Sequence, residues 1–270
     1  MKTFFERIVK RVFLFFNFEI RNKNLFKYSD DPFIILSKVL DAPKIKLVID
    51  GGASIGDTSQ RLSLLFPNAV VHAFEPFPDF HQELQNKANL NSKIIAHLLG
   101  LGKSEDKVIF NVNKSQGTNS ILKSNHRSKE IYGELMSIEK EIQIPINSLD
   151  NLFNFENNQC IDILKLDLQG YEFDALIGAT KLLEKGQIKA ILCEVMFEPS
   201  YENQPGWIEI VSFIEKYDLS LFNLYQRHYF QGRLTQADII FLRKDLLQES
   251  QYRRNNAFHN HSEIIKDLKQ

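Results

Sequence analysis

The sequence predicts an α/β fold, a mostly parallel, doubly wound sheet with helices on both faces. Three observations predict it. The apolar run 46–49 leads into a glycine-rich turn, Asp50-Gly51-Gly52-Ala53-Ser54-Ile55-Gly56, and then into a helical pattern. Apolar runs and amphipathic segments alternate after that point, as parallel sheets with crossover helices require. The chain has 270 residues and is 43% hydrophobic, enough for one substantial core.

Residues 1–43 read as a helical extension. Phe4, Phe5, Ile8, Val9, Val12, Phe13, Phe15 and Phe16 alternate with Lys2, Arg7, Lys10 and Arg11. That pattern predicts a basic amphipathic helix, placed against the domain, against a second copy in a homo-oligomer, or on an anionic membrane surface. Its apolar stretch 12–16 is too short for a signal-peptide core. A second helix is expected over 33–40, with Asp31-Pro32 at its start.

The main domain is expected over 44–246. After the glycine turn, Asp57, Thr58 or Ser59 is expected to cap a helix whose apolar face is Leu62, Leu65 and Phe66. A second strand, 69–74, ends at Glu75-Pro76. A helix from Pro78 carries Phe80, Leu84 and Ala88. A third strand, 93–99, is ended by Gly100-Leu101-Gly102. The alternation then breaks. Residues 103–150 read as an insertion with β-like segments at 108–112 and 142–146, a polar loop at 117–120 and helical character over 123–140. Strand 161–166 ends at Asp167, a helix begins near Glu172, and strand 188–195 carries Glu194. A helix over 207–217 and strands over 219–224 and 238–242 complete the domain. Residues 247–270 form a polar tail.

Composition narrows the function. A net charge of −1 argues against a general nucleic-acid binder. Cys160 and Cys193 lack metal-ligand spacing, so no metal site is expected, and reduced thiols fit a cytoplasmic protein. No apolar run approaches the roughly 20 residues that span a bilayer.

In open parallel sheets, ligands bind beyond the carboxyl ends of the strands. The polar residues expected there are Asp50, Glu75, Asp167 and Glu194, with Gly100 at the third strand. Glu75 follows the first glycine by roughly twenty residues, the interval that places an acid on a ribose diol. Ala53 stands where a dinucleotide fingerprint has its central glycine, which favours a nucleoside ligand without a pyrophosphate. An NAD-dependent oxidoreductase and a non-catalytic membrane or glycan-complex subunit are the competing readings.

The stretches 48–56, 72–78 and 161–172 resemble, in order, three signatures of the FkbM-family methyltransferases. Ser148-Leu149-Asp150, the segment 118–122 and the segment 237–241 resemble that family too, so the similarity covers about 44–245. The resemblance implies a class I, Rossmann-like methyltransferase with a seven-stranded sheet whose last strand is antiparallel, and S-adenosylmethionine as cofactor. It implies O-methylation of a hydroxyl on a sugar, polysaccharide precursor or other natural product. Gln169 stands where many relatives have Glu. On this reading Asp50, Gly51, Gly52, Ala53 and Gly56, with Asp57, Thr58 and Ser59 after them, receive the amino-acid part of the cofactor. Glu75 and Pro76 hold the ribose, and Gly100, Leu101 and Gly102 flank the adenine. Asp167 sits nearest the methyl as base or orienting group. His126 and His228 are the alternative bases, Glu172 a loop-holding residue, and Tyr225, Arg227, His228 and Tyr229 candidates for an acceptor pocket.

Overall fold

A computed structural model describes residues 31–156 and 159–249. The expected amphipathic helix and the tail from residue 250 lie outside the described residues.

The chain opens with α1 (Pro32–Val39), capped by Asp31, whose carboxylate accepts the Phe33 and Ile34 N–H groups. Strand β1 (Leu47–Gly51) runs into the glycine turn and α2 (Asp57–Leu65). Then come β2 (Val70–Phe74), α3 (Pro78–Leu90), β3 (Ile94–His97) and the two-residue β4 (Gly100–Leu101). The insertion supplies β5 (Asp106–Asn113), α4 (His126–Tyr132) and β6 (Ile138–Asn147), and α5 (Leu149–Leu152) follows it. The second half holds β7 (Ile161–Leu166), α6 (Glu172–Ile177), α7 (Thr180–Glu184) and β8 (Ile188–Met196). It ends with α8 (Trp207–Glu215), β9 (Leu219–Phe230), β10 (Arg233–Arg243) and α9 (Lys244–Glu249).

The main sheet has the order β3-β2-β1-β7-β8-β10-β9. The pairs among β3, β2, β1, β7 and β8 are parallel, and β10 lies antiparallel between β8 and β9. This is the class I methyltransferase arrangement that the resemblance implies. A reversal of strand order at β1 opens a crevice between β1 and β2 on one side and β7 on the other.

Strand periodicity divides the core. Ile49, Leu164 and Ile191 pack on one face with Leu176 and Ile214. Val48, Ile163 and Leu192 pack on the other with Leu62, Phe66, Phe33 and Leu36. Neighbouring residues in a strand point to opposite faces, so each strand serves both layers. Helix α1 is part of the second layer, so the core begins before residue 44.

Two expectations need correction. Gly100-Leu101 does not merely end a strand. It pairs with Ile146 and Asn147 in a small second sheet of order β4-β6-β5. The strand expected over 219–224 does not end there, and residues 225–229 belong to it. They extend β9 into a long hairpin with β10, turned by Gln231 and Gly232 at φ 49° and 78°. Positive φ at both central residues matches the twist of the flanking strands.

Candidate active site

A cleft of about 260 Å³ lies at the carboxyl ends of β1, β2 and β7, with the insertion forming its far wall. Of the residues singled out from sequence, Gly52, Glu75, Pro76, Gly100, Leu101 and Asp167 line it.

The glycine turn is shaped by contacts within the chain. A methyl group on Gly52, at φ +70°, would sit 1.9 Å from the Asp167 carbonyl oxygen. Only glycine permits both that φ and that approach. The amides of Gly52 and Ala53 donate to the Phe74 carbonyl at 3.0 Å, and that of Ser54 donates to Glu75 Oε2 at 2.8 Å. Gly56 N–H donates to the Ala53 carbonyl. These N–H groups therefore already have partners, on β2, at Glu75 and within the turn.

Glu75 is fixed at both oxygens, since Oε1 accepts the Phe77 N–H at 2.9 Å. Each oxygen keeps a lone pair for a further donor. Burial pushes the Glu75 carboxyl up to about 7, against the opposing pull of the Phe77 and Ser54 amides and Lys165.

Lys165 reaches under the turn, donating to the carbonyls of Gly51 at 3.1 Å and Gly52 at 2.9 Å. It pairs with Asp50 at 3.1 Å and Asp167 at 3.7 Å. Burial disfavours its charge, but Asp50 and Asp167 outweigh burial and raise its pKa. A lone lysine in the apolar run 161–166 was the signal for this group, and sequence reasoning passed over it.

Several expected ligand contacts are structural instead. Asp50 is fully buried and accepts the Ser59 hydroxyl at 2.6 Å, so both serve the turn from below. The Ala53 methyl packs with Ala73, Leu84 and Ala88 and does not line the cleft. Gly56 is the N-cap of α2 in the left-handed conformation, so Asp57, Thr58 and Ser59 lie inside the helix rather than capping it. Asp57 is exposed and pairs with Lys87, and Thr58 does not line the cleft. Gly51 packs against the Leu101 side chain, and Gly102 packs against Ile146 and donates to the Asn147 carbonyl. His126 is 89% exposed and faces Glu130. His228 is exposed on β9, and neither histidine lines the cleft.

The loop after β7 and the insertion add further residues to the cleft. Glu172 is buried and accepts the N–H groups of Leu168 at 2.6 Å and Gly170 at 3.2 Å, which holds the loop as expected. Gln169 lines the cleft and adopts φ 52°. Asn119, Phe110 and Ile121 from the insertion and Phe80 from α3 complete the wall. Asn111 and Asn113 clip that loop to β5 by donating to the carbonyls of Ser120 and Thr118. Behind Asp167, Glu194 and Asp238 stand directly opposite each other on β8 and β10. Burial, then neighbouring carboxylates, raise Glu194 well above the usual range, and burial with Asp167 raises Asp238 to about 6.

The cleft thus offers two carboxylates, an apolar patch and no Lys, Arg or His among its lining residues. Such a set suits a nucleoside that carries a diol and a positive charge. Among the described residues, no cluster of His, Cys, Asp and Glu is arranged to hold a metal ion, and no helix is long and apolar enough to cross a membrane.

Comparisons with known proteins bear on this site. The fold is similar to an FkbM methyltransferase from Methylobacillus flagellatus KT, with 18% identity and a TM-score of 0.48 over 73% of this chain. This chain spans 43% of that protein's length. It is also similar to magnesium protoporphyrin IX methyltransferase from Synechocystis PCC 6803, solved with bound SAM, with 12% identity, a TM-score of 0.42, and coverage of 78% of this chain and 76% of that one. No functionally curated protein matches the sequence. The model of the methyltransferase FkbM domain matches residues 50–221, well over half of the chain. The chain belongs to the FkbM methyltransferase family.

Proposed function

We propose that this protein is an S-adenosylmethionine-dependent O-methyltransferase acting on a hydroxyl of a sugar, polysaccharide precursor or similar polyol. The observation that carries the reading is the pairing of Glu75 and Asp167 across one crevice at the sheet's switch point, with apolar walls between them.

When bound, S-adenosylmethionine supplies a methyl group made electrophilic by its sulfonium. Glu75 would hold the two ribose hydroxyls with the lone pairs that Ser54 and Phe77 leave open. Leu101, Phe80 and Phe110 would supply the apolar walls against the adenine. Asp167, whose side chain is 40% exposed at the cleft wall, faces the positive charge. It would orient the acceptor hydroxyl and take the proton that this hydroxyl loses.

The oxidoreductase reading is disfavoured by the same geometry. A pyrophosphate needs free backbone N–H groups or cations. Here the turn amides bond to Phe74 and Glu75, and Lys165 is committed to Asp50 and the turn carbonyls. Calorimetry against S-adenosylhomocysteine and NAD separates the two. Binding of S-adenosylhomocysteine that is lost in Glu75→Ala supports the proposal, and binding of NAD alone refutes it. The same titration tests the non-catalytic reading, which predicts that neither binds.

A further inference from the structure

We propose that Gln169 is a positioning residue for methyl transfer, its amide spanning Asp167 at the cleft wall and Glu194 behind it so that the Asp167 carboxylate stays turned toward the acceptor. The inference rests on the role given above to Asp167.

The geometry is specific. Gln169 Nε2 donates to Asp167 Oδ1 at 2.9 Å and to Glu194 Oε2 at 3.1 Å. An amide nitrogen carries two hydrogens, one for each acid. Its oxygen accepts the Tyr201 hydroxyl at 3.0 Å. The amide orientation is therefore determined, because a flipped amide would point its oxygen at two carboxylates. The backbone is held as tightly. The Gln169 carbonyl accepts the Ser120 hydroxyl at 2.7 Å, which ties the insertion to this loop. A non-glycine residue at φ 52° carries backbone strain that surrounding contacts must hold in place.

The surroundings explain why an amide stands here. Asp167 acts on Glu172 on α6, Glu194 on β8 and Asp238 on β10, and Glu194 in turn acts on Tyr201 and Tyr132. Lys165 is the cation paired with Asp167, and it is shared with Asp50. A glutamate at 169 would insert another carboxylate at about 3 Å from two others, and acids so close cannot all ionise. Gln169 supplies the bridge without the charge.

Carboxyl-carbon NMR titration of the full chain tests this, comparing wild type with Gln169→Glu and Gln169→Asn. The first is nearly isosteric but charged. The second tolerates the left-handed backbone but is one methylene too short to span both acids. Both variants are expected to move the titration of Glu194 up by about one unit. Thermal melts identify a variant that fails to fold, and the other then decides. Calorimetry with S-adenosylhomocysteine runs in parallel. Titrations that superimpose in every folded variant, with S-adenosylhomocysteine bound by the wild type, overturn the role of Gln169 alone. Failure of the wild type to bind S-adenosylhomocysteine overturns the methyl-transfer reading on which that role rests.

Discussion

Glu75 makes a prediction that needs no acceptor. Its carboxyl is raised from 4.5 to about 7 by burial. Between those values the folded chain keeps a proton that the unfolded chain releases. Stability from this group is therefore complete below pH 4.5 and declines as pH rises through 7. Linkage with these two values gives a loss of about 2–3 kcal/mol between pH 5 and pH 8. Glu75→Gln removes the titration. It also faces one amide NH toward the Ser54 or Phe77 N–H, a cost independent of pH. Comparing the pH 5 to pH 8 change in each protein cancels that cost. It also cancels Glu172, which titrates near 7 in both proteins, and His72 and His97, whose lowered pKa values act in the opposite sense. The drop in melting temperature from pH 5 to pH 8 is expected to be about 4 °C larger in wild type than in Glu75→Gln, from ordinary unfolding entropies for a chain of this length. Equal drops measured by calorimetry would refute the assignment of Glu75 as a buried, proton-holding acid.

Three further outcomes follow from the site. Lys165→Met leaves Asp50 buried without its cation and is expected to cost about 3–5 kcal/mol in urea unfolding, and a loss below about 1 kcal/mol would contradict the clip beneath the turn. Gly52→Ala places a methyl against the Asp167 carbonyl, so S-adenosylhomocysteine affinity is expected to fall at least tenfold, about 1.4 kcal/mol, in calorimetry, and unchanged affinity would sink the argument. His126→Ala and His228→Ala are expected to leave S-adenosylhomocysteine affinity within about twofold and stability within about 0.5 kcal/mol, because neither side chain lines the cleft, and a tenfold loss in either would return it to the site.

The parallel strands were legible because a strand buried on both faces is a mostly apolar run, and such runs recur at 46–49, 69–74, 161–166 and 188–195. The β9–β10 hairpin was only half legible. Its outer part, Gln226-Arg227-His228-Tyr229-Phe230, shows no polar–apolar alternation, and its turn, Gln231-Gly232, is a weak signal. The insertion's share of the cleft was illegible for another reason. Asn119 and Gln116 reach the site through the pairing of β5 with β6 and the asparagine clips on β5, and none of that leaves a period in the sequence.

The four strand-end acids show where sequence reasoning stops. Asp50, Glu75, Asp167 and Glu194 look alike in the sequence, each closing or following an apolar run. Register separates them. Asp50 lies opposite Lys165 across β1 and β7, so it meets a cation and is consumed by the fold. Glu194 lies opposite Asp238 across β8 and β10, so it meets a second acid and depends on the amides of Gln169 and Gln236. Glu75 and Asp167 lie one residue beyond β2 and β7, where the ladder no longer dictates a side-chain neighbour and each carboxylate opens onto the cleft. A shift of one residue relative to the ladder thus decides whether a strand-end acid holds the turn together or is left to meet a ligand.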